Sequence, residues 1–436
     1  MSFPDLNFPS SNECGGFDHL SRRALLRGLG LSSLGWLTPL SQTLARSAEA
    51  PSRHRPKTLI VVWLQGGASQ LETFDPHPGS SIAYGSSAIG TAIPGVKFGA
   101  GLEQTASIAG DLAVVRSMVG KEGDHRRAVY NLKSGHRPLP GLVHPSLGSI
   151  VCHELPDAPT DLPTHISIRS GASAAKGGYL GAHYDAFKIF DPKDSIPDVG
   201  ARVGDPRQQR RLEGLAVLEQ NFSAGRLPDL DGQRTLHRNA TKRALTMMSS
   251  DQLKAFDVSE EAADVRAAFG DNPFGRSCLA SVRLAEAGVR CIEVTLGGWD
   301  THIDNHSNVS ELLTTLDPAF AALITTLKAR DLFEDTIVLL GTEFGRTPKL
   351  NVADGRDHWP HGFSVLLGGG GIRPGMVLGE TDPSGESRDP GKPVRVQDLH
   401  ATILDAFGID YRHEIMTPLS RPISLSEGRS VKSLLV

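Results

Sequence analysis

Cysteine is scarce in this chain: Cys14, Cys152, Cys278 and Cys291 are the four among 436 residues, and none stands in a CxxC spacing. That excludes a zinc ribbon and a disulfide framework. Cys14 precedes a pair of arginines and would leave with the leader they mark. Cys278 and Cys291 fall on an apolar helix face and a strand and are expected as buried thiols, although a single bridge stays open in an oxidising compartment. Aromatic residues make up 6%, too few for stacking platforms. Neither sign of charge dominates: 45 Lys and Arg against 49 Asp and Glu leave a net charge of −4. With no basic stripe to offset it, nucleic acid is not expected as a partner. Nucleotide and acyl-transfer motifs are missing too, with no P-loop, dinucleotide fingerprint or Gly-x-Ser-x-Gly elbow. The run Gly368-Gly369-Gly370-Gly371 lacks the Lys-Ser or Lys-Thr of a P-loop and reads as a tight strand-end turn. There is no CxxCH haem motif, which disfavours a redox protein. Beyond the leader, no segment approaches about 18 continuous apolar residues, so no stable membrane span is expected in the mature protein.

What is present begins with that leader. Ser21-Arg22-Arg23-Ala24-Leu25-Leu26-Arg27 is followed by a moderately apolar stretch, 28–40, and by Ala45 and Ala48-Glu49-Ala50. Basic region, apolar region and small-residue cleavage site, in that order, predict a twin-arginine signal peptide over 1–50. The expected location is periplasmic or otherwise exported, with the twin-arginine export machinery as a partner. Apolar runs of strand length at 57–64, 112–118, 165–169, 289–296, 336–340 and 363–367 alternate with helical patterns at 128–134, 146–155, 274–288, 309–330 and 396–407. The alternation predicts an α/β fold with a mostly parallel central sheet and helices on both faces. A charged, helix-patterned segment, 191–271, has no strong apolar strand and reads as a helical insertion or cap. The domain is expected over 57–415, with a C-terminal tail at 416–436.

Three polar clusters stand out, the first two directly after apolar runs: Gly297-Gly298-Trp299-Asp300-Thr301-His302, Gly341-Thr342-Glu343-Phe344-Gly345-Arg346 and Gly355-Arg356-Asp357-His358-Trp359. Ligands of open α/β sheets bind beyond the carboxyl ends of the strands. Carboxylates and imidazoles delivered there by several strands suit a divalent metal, zinc being one candidate. Asp300 and His302, two residues apart, share a face of an extended segment. They are candidate ligands with Glu343 and His358; His306 and His361 add further imidazoles. Arg346 and Arg356 suit bidentate recognition of an oxyanion, or else neutralise Glu343 and Asp357. In the first half, Gln65, Ser69, Glu72 and Asp75 follow the first strand. His125 follows the second as a ligand or a general acid or base, and Arg126 beside it is a candidate catalytic residue as an anion contact.

These residues resemble a known family. The leader together with "VVWLQGGASQLETFDP", "VRSM", "DHRRAVYNLKSGHRP", "GGWDTH", "GTEFGRTPKLN", "GRDHWP" and "LGGGGIRPGMVLGETD" is similar to the DUF1501 proteins of planctomycete type. Their fold resembles the alkaline phosphatase and sulfatase superfamily. The resemblance implies a metal site acting on a phosphate or sulfate ester, in a small molecule or a polymer. Within it Asp300 and His302 look like a ligand pair, Glu343 stands for the superfamily's Asp-His pair, and His358 resembles its late histidine ligand. Two departures stand out: Gln65-Gly66-Gly67 replaces the aspartate expected after the first strand, and Phe344 a histidine. No Cys-x-Pro-x-Arg signature or evident nucleophile is present. The resemblance leaves two expectations: an exported metal-dependent hydrolase, or a non-catalytic exported binding or scaffold protein that keeps the fold without turnover.

Overall fold

The first strand shows how the sheet is covered. In β1 (Thr58–Gln65), Ile60, Val62 and Leu64 enter one apolar cluster, while Leu59, Val61 and Trp63 enter another. Alternate side chains point to opposite faces of a strand, so both faces are dry, as a parallel sheet requires. In a computed structural model the described residues are 57–194, 196, 199–200, 203–223, 241 and 243–436. The predicted leader, Cys14 and part of the predicted 191–271 insertion lie outside them.

After β1 come β2 (Ala88–Gly90), β3 (Lys97–Gly99), α1 (Glu103–Ser107), β4 (Leu112–Val119), α2 (His125–Ser134) and α3 (Leu147–Glu154). Next are β5 (His165–Ile168), β6 (Phe187–Ile189), α4 (Asp205–Ser223), α5 (Ala263–Ala268), α6 (Pro273–Glu286) and β7 (Cys291–Gly297). Then follow α7 (Asn305–Ala329), β8 (Thr336–Thr342), β9 (Gly345–Arg346), β10 (His358–Trp359) and β11 (Phe363–Gly369). The chain closes with β12 (Val377–Leu378), β13 (Val394–Arg395), α8 (Val396–Ala406), β14 (Glu414–Met416) and β15 (Pro422–Ser424).

Among the described residues the main sheet has nine strands, in the order β12-β4-β11-β8-β1-β7-β5-β6, with β13 also on β4. Its pairings are parallel except at β11, which runs against β8 and β4. Helices α6 and α7 pack on one face through Leu279, Val282, Leu313 and Phe320. Helices α2, α3 and α8 cover the other through Leu132, Ile150, Val151 and Leu399. The fold is therefore α/β with a mostly parallel sheet between two helical layers, as the alternation predicted.

The reversal of β11 places the site. A parallel neighbour needs a crossover that carries the chain back to the amino end, usually a helix. Between β8 and β11 no helix intervenes. The intervening 343–362 therefore stays at the carboxyl end and holds Glu343, Arg346, Arg356, Asp357 and His358 there. The ribbon of β9 and β10, with His358 opposite Arg346, fixes that loop.

Some elements escaped the sequence reading. β6 is three residues long, and β9, β10, β12 and β13 are two each, too short to carry a period. The expected tail packs against the domain: Leu425, Leu434 and Leu435 are buried. Cys152, Cys278 and Cys291 are free, and burial pushes each thiol's pKa up, leaving them inert.

Beneath the rim lies a buried ion pair. Arg356, fully buried, donates from Nη2 to Glu72 Oε1 at 2.8 Å and from Nε to the same oxygen at 3.1 Å. Removing one partner strands the other charge, at a cost of about 3–5 kcal/mol. Arg356→Met is expected to lose that much in urea unfolding, and Glu72→Gln added to it to restore part of the loss. Equal stability of Arg356→Met and the parent would contradict this.

Candidate metal centre

Register brings three strand ends side by side. Gln65 of β1 lies opposite Gly297 of β7, and Leu64 opposite Thr342 of β8. Gly66 and Gly67 make the close approach possible. Their φ values are +126° and +89°, and a Cβ on either would stand 2.4 Å from Asp300 N or from the Phe344 ring, respectively.

Asp300 stands at the centre of a cluster of imidazoles at these ends. Its Oδ1 is 3.2 Å from His302 Nε2 and 3.3 Å from His358 Nε2, and those two nitrogens are 2.9 Å apart. Its Oδ2 is 3.2 Å from His125 Nε2. One ligand atom each from His125, Asp300 and His358 fits within a mutual 4.8 Å. Three imidazoles thus present the same nitrogen to one carboxylate.

The other nitrogen of each ring faces an acceptor. His125 Nδ1 lies 3.0 Å from Glu343 Oε1, His302 Nδ1 3.0 Å from Asp357 Oδ1, and His358 Nδ1 2.6 Å from the Gly123 carbonyl. A proton on each Nδ1 satisfies those acceptors and leaves the Nε2 lone pairs facing one another and Asp300. Lone pairs at such separations repel unless a proton or a cation lies between them. Among the described residues, buried His125 Nε2 has no hydrogen-bond partner of good geometry despite its closeness to Asp300 Oδ2. Ligands about 2.1 Å from a tetrahedral cation stand roughly 3.4 Å apart, close to the triangle of Asp300, His302 and His358. Acceptors behind the rings are the partners that metal-ligating histidines use. By donor chemistry, spacing and the orphaned nitrogen, these residues fit a divalent cation.

Electrostatics keeps the carboxylate charged. Burial pushes the Asp300 carboxyl up, but the Arg346 guanidinium at 2.6 Å outweighs it and holds the group down at about 2. His125 is raised, first by its bond to Glu343 and further by Asp300, against the effect of burial. Burial pushes His358 down. Phe344, fully buried, packs its ring 4.4 Å from that of His358 and 5.0 Å from that of His125. At the position where the resemblance led to a histidine, it is the floor of the site.

Of the expected ligands, Asp300, His302 and His358 come together. Glu343 does not join them: its side chain is fully buried behind His125, where Oε1 also accepts from Gly66 N at 2.8 Å. Glu343 orients a ring, that of His125. The reading of Arg346 and Arg356 as substrate grips is corrected. Both are fully buried and engaged at all three nitrogens. Arg346 bonds to the carbonyls of Gly66, Gly67, Trp299 and Arg356 and to Asp300. Arg356 bonds to Glu72 and to the carbonyls of Ile82, Thr347 and Pro348. The carboxylates they contact directly are Asp300 and Glu72 in place of Glu343 and Asp357. Arg126 is exposed on α2 beside the cluster. His306 reaches toward Ser86 and His361 toward Arg388, both away from the site. Ser69 bonds to Glu72, and Asp75 to Thr381, so these polar candidates are scaffolding.

Residues 56–435 match the family described as "Protein of unknown function (DUF1501)". This chain belongs to that family. No curated protein matches it. Similar solved structures include a sulfatase from Pseudoalteromonas sp. at 13% identity and TM-score 0.36, covering 84% of this chain and 70% of that one. A phosphonate monoester hydrolase from Silicibacter pomeroyi has 13% identity and TM-score 0.35, with 87% and 76% covered. An alkaline phosphatase superfamily protein from Vibrio parahaemolyticus has 12% identity and TM-score 0.37, with 88% and 71% covered. At such values the likeness decides nothing about the site of this DUF1501 protein, which rests on its own side chains.

The His125–Glu343 pair gives a test free of metal. A raised imidazole pKa means stability that is full below the unfolded value and fades as pH rises through the folded one. In chelator-treated protein, NMR titration of His125 is expected to place it above an ordinary histidine, and Glu343→Gln to bring it down. An unchanged His125 in that variant would overturn the assignment of Glu343.

Proposed function

We propose that this protein is an exported, divalent-cation-dependent hydrolase of phosphate or sulfate esters. One observation carries the reading: three Nε2 atoms converge on Asp300 while every Nδ1 is held by an acceptor. Asp300, His302 and His358 would hold the cation, zinc being one candidate; when bound, it supplies Lewis-acid polarisation of the ester's oxygens. Export follows from the paired arginines of the leader, which belong to residues 1–50 outside the described ones.

The protein's own groups suggest how water attacks. His125, kept in one tautomer by Glu343 on Nδ1, takes a proton from water at Nε2. Glu343 then stabilises the imidazolium, as an acceptor behind a catalytic histidine does. The water oxygen bonds to phosphorus or sulfur as the bond to the ester oxygen breaks, and the departing alkoxide takes a proton from solvent to leave as the alcohol. Among the described residues, no serine, threonine or cysteine side chain is bonded to His125, Asp300, His302, His358 or Glu343. Water is therefore the nucleophile in this reading, with no covalent intermediate. That same lack favours the second reading, an exported protein that binds the ester or anion without turnover.

Two measurements test this. Elemental analysis of the exported protein is expected to find about one divalent ion per chain, lost on Asp300→Ala/His302→Ala. A metal-free parent that is folded would contradict the centre. With a phosphorothioate monoester made chiral by oxygen isotopes and hydrolysed in isotopically labelled water, single displacement gives chiral thiophosphate of inverted configuration at phosphorus. Retention would contradict direct attack by water, and phosphate binding without turnover would favour the second reading.

A further inference from the structure

Beside His125 a cavity of about 490 Å³ opens between α2 and the segments around 143–146 and 173–176. A volume in this range accepts a small organic molecule. Its α2 wall is one helical face: His125, Val129 and Lys133 follow at i, i+4 and i+8, with Arg126 and Tyr130 alongside. Val143 and Ala174 face them. His125 thus borders both the Asp300 cluster and this hollow. A larger hollow, about 740 Å³ and lined by Phe256, Phe269 and Arg276, shares no residue with the cluster.

Charge in the smaller cavity is one-sided. Three cations line it: Arg126, Lys133 and Lys176. Lys133 is committed, donating to Glu293 Oε2 at 3.0 Å and to the Ser173 carbonyl at 2.7 Å. Arg126 and Lys176 are exposed, and among the described residues neither side chain has a carboxylate within ion-pair distance. Among the described residues no acidic side chain lines the cavity. Two unpaired cations flanking a partly apolar hollow attract a group that is both organic and anionic.

We propose that this cavity is the subsite for the organic part of an acidic ester, with Arg126 and Lys176 selecting a second negative charge on it. The inference rests on the ester reading above and narrows its substrate class. The ester's acid group lies at the Asp300 cluster. Its alcohol part enters the cavity past His125, with a carboxylate, sulfate or further phosphate facing the two cations. Arg126, whose place next to His125 in sequence suggested a catalytic role, is a specificity residue.

The test uses calorimetric titration of the full, cation-loaded protein with phenylphosphonate, 4-carboxyphenylphosphonate and inorganic phosphate. Metal content is measured on every sample. The carboxylated probe is expected to bind about tenfold tighter than phenylphosphonate, a difference of about 1.4 kcal/mol. In Arg126→Ala/Lys176→Ala that preference is expected to vanish while metal content stays that of the parent. Both substitutions are at exposed positions, so folding is not in question. Equal binding of the two phosphonates, or a preference that survives the double variant, would overturn the subsite and leave the ester site standing. Failure of the loaded parent to bind any of the three probes would overturn the subsite and the ester reading together.

Discussion

The guanidinium of Arg346 is the contact on which the rim depends. It is fully buried and bonds to backbone carbonyls after β1 and β7 and in the 343–362 loop, and then to Asp300. A cation without access to water must be met by acceptors on every side, and among the described residues the formal negative charge it contacts is the carboxylate at the centre of the imidazoles. The tie fixes the position of Asp300 and keeps it ionised. It also explains why the two glycines after β1 are needed, since any Cβ there would drive the strands' ends apart.

Order in the imidazoles comes from behind. Glu343, Asp357 and the Gly123 carbonyl come from a strand end, a loop and the turn before α2. Each sets the tautomer of one ring. Asp124 caps α2 by accepting from Arg127 N at 3.1 Å, which puts His125 at the first helical position and turns its ring toward Glu343. Nearly one face of α2 then serves the chemistry, His125 at the cluster and Arg126 at the neighbouring cavity. Local capping, strand register and a buried ion pair thereby converge on one arrangement.

Much of this was legible in the sequence, and the rest was hidden for physical reasons. Strands buried on both faces announce themselves as apolar runs, and Asp300 and His302 share a side because their spacing matches an extended chain. His358 was found through its company in a polar loop. The direction of β11 was not visible, because only the absence of a helix between β8 and β11 encodes it. Glu343 was read as a ligand because a carboxylate after a strand looks the same whether it faces a metal or a histidine. Arg346 and Arg356 were read as anion grips because burial is a tertiary property. Their carbonyl partners leave no mark in the order of side chains. Lys176 drew no notice at all, since nothing near it in sequence bears on the site.

X-ray absorption at the metal edge of the loaded protein tests the central claim most directly. Nitrogen and oxygen ligands at about 2.0–2.2 Å, with the multiple scattering of at least two imidazoles, are the expected result, and His358→Ala should remove one imidazole. A shell of water oxygens alone, or one unchanged in that variant, would mean that the histidines around Asp300 do not hold the cation.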